Sequence, residues 1–252
     1  RVLELRNWTV ANPVASRPAL VKDVNLSLQA GEVLGVFGLI GSGASDLARS
    51  MFGAHPGRVN GELLVHDRPV HWSRPADLIR AGLAYMPSDR KRDGLVLDMP
   101  VAANLSLAAL QRFTRFGLVD RGAELREVEH YISALKVKCA SVEQAVGGLS
   151  GGNQQKVVAA KWLLAEPDVL VLEEPTRGVD VGARVEIYNL INDITRQGKA
   201  VVLISTDLPE VLGMSDRIVA MREGRLVGSW QRGAATEEDV MLYAAGRQED
   251  IQ

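Results

Sequence analysis

Apolar and polar positions change rhythm along the chain, and each rhythm predicts a different element. Near the start they alternate, as in Val2-Leu3-Glu4-Leu5 and Val24-Asn25-Leu26-Ser27-Leu28. A period of two predicts half-buried antiparallel strands. Three later runs are apolar throughout: Val33-Leu34-Gly35-Val36-Phe37, Val169-Leu170-Val171-Leu172 and Val201-Val202-Leu203-Ile204. Short aliphatic runs of this kind predict strands buried on both faces, as in a parallel sheet. Between the last two, Ile187, Leu190, Ile191 and Ile194 share one helical face, and Gly198 stands where a C-cap is expected. Strand–helix–strand alternation predicts an α/β domain. From about Val101 to Val146 the rhythm is mostly helical, with Leu125, Val128, Ile132 and Leu135 as one apolar stripe between Asp120 and Cys139. This stretch reads as a helical insertion in the α/β core. Ile218-Val219-Ala220-Met221, a turn at Glu223-Gly224, and Leu226-Val227-Gly228 read as a hairpin.

Composition narrows the picture only by exclusion. The 252 residues suit one large domain or two small ones, and the net charge of -2 gives no reason to expect nucleic acid as a partner. A single cysteine, Cys139, rules out an intramolecular disulfide and fits a reducing compartment, with Cys139 read as a packing residue. The histidines His55, His66, His71 and His130 lack metal-ligand spacing and read as structural. Every apolar run is broken by glycine or charge before it could span a bilayer. The start, Arg1-Val2-Leu3-Glu4, is neither a signal peptide nor an initiating Met, so the chain is expected to be a fragment of something longer.

The run ending at Phe37 leads into Gly38-Leu39-Ile40-Gly41-Ser42-Gly43-Ala44-Ser45-Asp46. Phosphate loops need glycines so that the backbone can wrap closely, and a helix N-terminus to face the negative charge. They then use Lys for the outer phosphates and Ser or Thr for magnesium. Here Gly38, Gly43 and Ser45 are in place, but the lysine position is Ala44. Loss of a charge-assisted hydrogen bond removes about 1.5–3 kcal/mol of binding. Taken alone, this segment fits a tight turn as well as it fits a nucleotide loop.

Further motifs decide between them. Leu149-Ser150-Gly151-Gly152-Asn153-Gln154-Gln155-Lys156 resembles the signature motif of ATP-binding-cassette (ABC) ATPases. Val169 to Thr176, containing Glu173-Glu174, resembles their Walker B strand and catalytic glutamate, and Gly178-Val179-Asp180 resembles their D-loop. The order of these segments behind a phosphate loop identifies the chain as a member of that family. Met86-Pro87-Ser88-Asp89-Arg90-Lys91-Arg92-Asp93-Gly94-Leu95, the Asn-Gln-Gln-Lys tail of the signature, Thr176 to Ala183 and Leu208 to Met214 resemble the second cassette of bacterial monosaccharide importers. The resemblance runs from about Leu3 to Val240. Nucleoside and autoinducer importers carry similar cassettes.

The resemblance implies a P-loop NTPase fold with a RecA-like parallel core, an antiparallel β lobe and a helical subdomain. As one domain over 1–252, the core and lobe would cover about 1–95 and 150–235, and the helical part about 96–149. It implies ATP and Mg2+ as cofactors. The nucleotide would meet Gly38, Gly41, Ser42, Gly43, Ala44, Ser45 and Asp46, with Ser45, Glu173 and Ser88 around the metal. Glu174 would polarise the attacking water, Thr206 stands in the switch position where the family has His, and Asp180 belongs to the D-loop. Ser150, Gly151, Gly152 and Gln154 would act in trans on a nucleotide held by a facing cassette. Glu173 is one methylene longer than the family's aspartate, and Ser88 replaces the Q-loop amide. With Ala44 and Thr206, these departures imply a cassette whose own loop is degenerate and whose signature is intact. The implied partners are a first cassette, transmembrane permease subunits and, indirectly, a periplasmic or lipoprotein sugar-binding protein. The implied location is peripheral, at the cytoplasmic face of the plasma (inner) membrane. A non-catalytic regulatory or scaffold cassette is the competing reading. Trp8 is read as a packing residue rather than an adenine-stacking aromatic.

Overall fold

The computed structural model describes residues 1–14 and 16–246. In chain order the elements are β1 (Leu3–Val10), β2 (Val21–Leu28), β3 (Val33–Gly38), α1 (Ala44–Met51), β4 (Val59–Val65), β5 (Arg68–Pro69), α2 (Pro75–Arg80) and β6 (Leu83–Met86). A π-helical turn at Arg90–Gly94, α3 (Val101–Ser106), a 3-10 stretch at Leu107–Phe113, β7 (Thr114–Arg115), β8 (Leu118–Val119), α4 (Arg121–Ala134) and α5 (Gly151–Leu164) follow. The chain then runs through β9 (Val169–Glu173), α6 (Val181–Arg196), β10 (Ala200–Ser205), α7 (Leu208–Met214), β11 (Arg217–Arg222), β12 (Arg225–Gln231) and α8 (Glu237–Ala245). These elements form two compact units. The first comprises Arg1–Tyr85, Asp168–Glu174 and Leu190 onward; the second comprises Met86–Pro167 and Pro175–Asn189.

The first unit holds two sheets. β1 and β2 pair antiparallel and bury alternate residues, among them Leu3, Leu5, Val10, Val24 and Leu28, as the period of two predicts. With β4 and β5 they form a four-stranded sheet in the order β2-β1-β4-β5. The second sheet has the order β12-β11-β3-β10-β9-β6. β3, β9 and β10 are buried at every position and pair in parallel, with Ser205 opposite Phe37 and Ile204 opposite Glu173. That register brings the C-terminal ends of three neighbouring strands level, and the loops leaving such ends are where α/β sheets bind ligands. α6 stops as its glycine predicts. Gly198 takes φ 83°, its N–H bonds the Thr195 carbonyl, and the Lys199 N–H bonds that of Ile194. The β11–β12 hairpin turns through Glu223 and Gly224, both with positive φ. α7 and α8 cover the end of the sheet, packing Leu208, Val211, Val240 and Ala244 on Phe37, Ile218 and Ala220. Trp8 is fully buried, donates its indole N–H to Ser50 Oγ at 2.9 Å and stacks on Trp72, so its ring is a core residue with no face left for a base.

The second unit is mainly helical, and all the elements between 96 and 149 belong to it. α4 begins where expected, capped by Asp120, whose carboxylate accepts the Ala123 N–H. Its inward face differs from the predicted stripe. Val128 is buried, but Leu125 is 39% exposed, and Glu124 lies inside in its place. The Ser106 hydroxyl donates to Glu124 at 2.6 Å and Arg121 pairs with it, so the carboxylate is satisfied in the interior. Cys139 is half-buried beyond the helix end. No helix among the described residues is long and apolar enough to cross a membrane.

Candidate functional site

The sequence-predicted residues fall into two groups, one in each unit. In the first unit the chain leaves β3 at Gly38 and enters α1 through Gly43, which takes φ 94° as the N-cap. Only glycine fits Gly43: a Cβ there would lie 2.4 Å from the Leu20 carbonyl oxygen, besides the strain of that φ. The Gly224 N–H bonds the Ser42 carbonyl, tying the loop to the β11–β12 turn. Ser42 turns inward, and its hydroxyl takes the Ala44 N–H at 3.4 Å, a long contact. Apart from that contact no side chain caps α1, so the N–H groups after Ala44 at its start are left for a ligand. Gly41 and Ser45 are exposed at this end, whereas the Ala44 methyl is buried. Asp46 is occupied elsewhere. His55 Nε2 lies 3.2 Å from its carboxylate, while His55 Nδ1 accepts the Gly57 N–H. An imidazole that accepts at Nδ1 carries its proton on Nε2, so His55 donates to Asp46.

The next two side chains stand at the end of β9. Glu173 is 3% exposed and its carboxylate accepts the Tyr85 hydroxyl from β6. Burial, and then the neighbouring carboxylate, push the Tyr85 phenol far above its ordinary value, so it remains a donor; Arg49 lies against the same hydroxyl and acts in the opposite sense. Glu174 breaks the strand with φ 48°, a left-handed conformation that costs a glutamate of order 1 kcal/mol or more. Its N–H bonds the Ile204 carbonyl, and its carboxylate accepts the Thr206 N–H at 2.7 Å and the Ser205 hydroxyl at 3.3 Å. Strain held at a strand end by three hydrogen bonds is the pattern of a positioned functional group. Thr206 is exposed and contributes its backbone to that hold.

The residues expected around Mg2+ differ in how open they are. Glu173 is buried and one of its oxygens accepts the Tyr85 hydroxyl, while the Ser45 side chain is exposed beside the loop. No group of three or more His, Cys, Asp or Glu that could hold a metal ion occurs among the described residues.

In the second unit Ser150 caps α5 and is exposed. Its oxygen accepts from Asn153 twice, from Nδ2 at 2.9 Å and from the backbone N–H at 3.4 Å. Asn153 is itself anchored, accepting the Lys138 N–H at 2.7 Å. A hydroxyl with both lone pairs taken meets a ligand only as a donor, which suits a phosphate oxygen, a pure acceptor. Gly151 and Gly152 follow at the positive end of a 14-residue helix. Gln154 departs from its expected role. It is 2% exposed, and its amide N–H groups point to the carbonyls of Val146, Gly147 and Leu149, so it braces the turn before the helix rather than facing outward. Gln155 bonds the Pro175 carbonyl at 2.7 Å. Asp180 caps α6 through the Ala183 N–H. Arg90 reaches the same region, donating to the Arg177 carbonyl at 3.0 Å.

Sequence reasoning missed Asn153, Tyr85, Arg49 and the His55–Asp46 pair. Asn153 had a local signal, a polar side chain three residues after the cap. The others meet their partners only through tertiary folding.

The sequence model of the family described as "ABC transporter" matches residues 21–177. A xylose import ATP-binding protein of Moorella thermoacetica is 50% identical over 244 residues, covering 97% of this chain and 48% of that protein. A ribose import ATP-binding protein of Rhodopirellula baltica is 46% identical over 250 residues, covering 99% and 49%. The chain thus spans about half the length of the curated relatives it matches. Among solved structures, a dimeric ATP-binding cassette in a post-hydrolysis state with ADP and Pi superposes with a TM-score of 0.79 at 19% identity, covering 91% of this chain and 98% of that one. A nucleotide-free cassette from an ABC transporter gives 0.78 at 20% identity, covering 97% and 95%. At these identities the structures establish the fold.

Proposed function

The chain belongs to the ABC transporter family, and from that premise we propose that it is the second, degenerate cassette of an ATPase that drives monosaccharide import. Its relatives import xylose and ribose, so a pentose is the substrate class we assign. In this reading the chain lies head to tail against a first cassette of the same polypeptide. Ser150, Gly151 and Gly152 close on the outer phosphate of ATP held by that cassette. The first cassette's loop, not Glu173, brings Mg2+ with its nucleotide. This chain's own loop, Gly38 to Asp46, offers backbone N–H groups without a lysine and serves mainly to bind. Glu174 keeps a carboxylate in the position of a water-polarising base, but it faces a loop that cannot hold the outer phosphate firmly. Permease subunits in the membrane and, through them, a sugar-binding protein complete the assembly. The cassette sits peripherally on the cytoplasmic face, as the sequence resemblance implies.

One observation carries the reading: an exposed hydroxyl that can only donate, at the start of a glycine-led helix, in a chain whose own loop has Ala44. The buried Glu173–Tyr85 contact favours the scaffold alternative, in which no catalysis involves this cassette at all. Ser150→Ala in the full two-cassette transporter separates the two. The expected loss of ATPase activity is about 100-fold, the usual effect of removing one donor aimed at transition-state charge. Unchanged hydrolysis and uptake would establish the scaffold.

A further inference from the structure

The segment from Asp89 to Gly94 lies along one face of α5. Gly94 packs on Val158, the Lys161 ammonium donates to the Gly94 carbonyl, and Arg90 stands over Gly151. Positions 151, 158 and 161 share a helical face, so the segment tracks the helix from its first residue to its third turn. The Asp89 carboxylate fixes the start of this π-helical turn by accepting the Lys91 and Arg92 N–H groups. At the N-terminal end Arg90 does two things at once. Its Nη1 donates to the Arg177 carbonyl at 3.0 Å, with Nη2 3.4 Å from that of Gly178. The same Nη2 lies where a Cβ on Gly151 would be 2.6 Å away, so the glycine leaves the guanidinium in this position undisturbed.

The electrostatics of this placement are unfavourable in the chain by itself. The guanidinium stands at the positive end of a helix dipole and has a buried Nε without a hydrogen-bond partner, with the adjacent Asp89 carboxylate acting in its favour. Burial holds its proton affinity below the ordinary arginine value. A rigid two-pronged donor bridging two backbone segments does something a point charge cannot: it sets their spacing.

We propose that Arg90 is a positioning residue of the trans half-site, fixing the carbonyls of Arg177 and Gly178 at the entry to the D-loop against the first turn of the signature helix so that both meet the facing nucleotide as one piece. The proposal rests on the reading of Ser150 to Gly152 given above.

The test is a double-mutant cycle in the full two-cassette ATPase with its permease, using Arg90→Ala, Arg90→Lys, Gly151→Ala and the pair Arg90→Ala/Gly151→Ala. Arg90→Ala is expected to lower kcat about tenfold and to move KM for ATP less than twofold, because the nucleotide is held by the other cassette's loop. Arg90→Lys keeps the charge but not the fork and is expected to fail to rescue. Gly151→Ala is expected to cost at least fivefold less in the Arg90→Ala background than alone, since the clash is gone. Independent, multiplicative losses in the cycle, full rescue by lysine, or an unaltered kcat would each overturn the proposal. Amide exchange on the folded chain supplies a second measurement should a variant assemble poorly. Protection at residues 150–152 and 177–180 is expected to fall together in Arg90→Ala, and unchanged protection counts against the clamp. Ser150→Ala run in parallel separates the failures. If it abolishes turnover while Arg90→Ala does not, only the clamp is lost.

Discussion

Lys161 has its ammonium buried on α5, donating to the Gly94 carbonyl and lying 4.9 Å from the Trp162 ring centre. Burial lowers its pKa from 10.5 to about 8. Between those values the unfolded chain holds a proton that the folded chain has released, so stability rises with pH across this window. The full shift corresponds to about 3 kcal/mol. Chemical denaturation at pH 7.5 and pH 10 is expected to show most of this gain, roughly 2 kcal/mol, in the native protein and to lose it in Lys161→Met; the same slope in both would refute the assignment. At the loop a different pair of residues decides the chemistry. Ala44→Lys adds a donor whose stem can pass the buried methyl position and reach solvent. It is expected to tighten ATP binding by about tenfold or more, from the 1.5–3 kcal/mol of a charge-assisted bond. The gain is expected to be the same with Mg2+ or with EDTA, because Tyr85 still occupies Glu173. Adding Tyr85→Phe is expected to bring Mg2+ dependence, read by titration of a fluorescent nucleotide. Magnesium dependence in Ala44→Lys alone would show that Glu173 was open all along.

At the scale of elements, what was legible in the sequence follows from which forces are local. β3, β9 and β10 could be read because strands buried on both faces must be apolar throughout. The end of α6 could be read because only glycine suits the φ of 83° there. The start of α5 could be read because a cap, two glycines and a helix are adjacent in the chain. α4 was half-read. Its helical period was right, but the period cannot tell that Glu124 finds Ser106 and turns inward while Leu125 turns out. Val128→Ala is therefore expected to cost about 2 kcal/mol of stability, as for a wholly buried aliphatic side chain. Leu125→Ala is expected to stay within about 0.5 kcal/mol. Urea denaturation of the two variants compares the faces directly, and equal losses would restore the simple stripe. The site was less legible than the fold for the same reason. Tyr85 and Glu173 are 88 residues apart, and Arg90 and Arg177 are 87 apart. Nothing in either neighbourhood announces the other. The π-helical turn that carries Arg90 has no sequence signal of its own, since its charged run reads equally well as a solvated loop.

At the scale of the whole molecule, the loop with Ala44 and the signature helix lie in different units, and under the proposed function that division has a countable consequence. The first unit carries Ala44 at the lysine position and has one Glu173 oxygen taken by the Tyr85 hydroxyl and Asp46 taken by His55. The second unit keeps a donor-only serine, two glycines at a helix start, and an arginine spanning to the next loop. Two cassettes placed head to tail make two composite sites, each from one phosphate loop and one signature. In the proposed assembly, a cassette with this loop and this signature would spoil one site and complete the other. On the proposed two-cassette reading, the isolated chain is expected to hydrolyse ATP at under about one hundredth of the rate of the paired cassettes. Trapping with vanadate, a mimic of the transferred phosphoryl group, should retain one ADP per two-cassette protein. Ser150→Ala should reduce that number towards zero, while Ala44→Gly should leave it at one. Two trapped nucleotides per protein would mean that a loop without lysine still turns over, and the division of labour between the units would have to be abandoned.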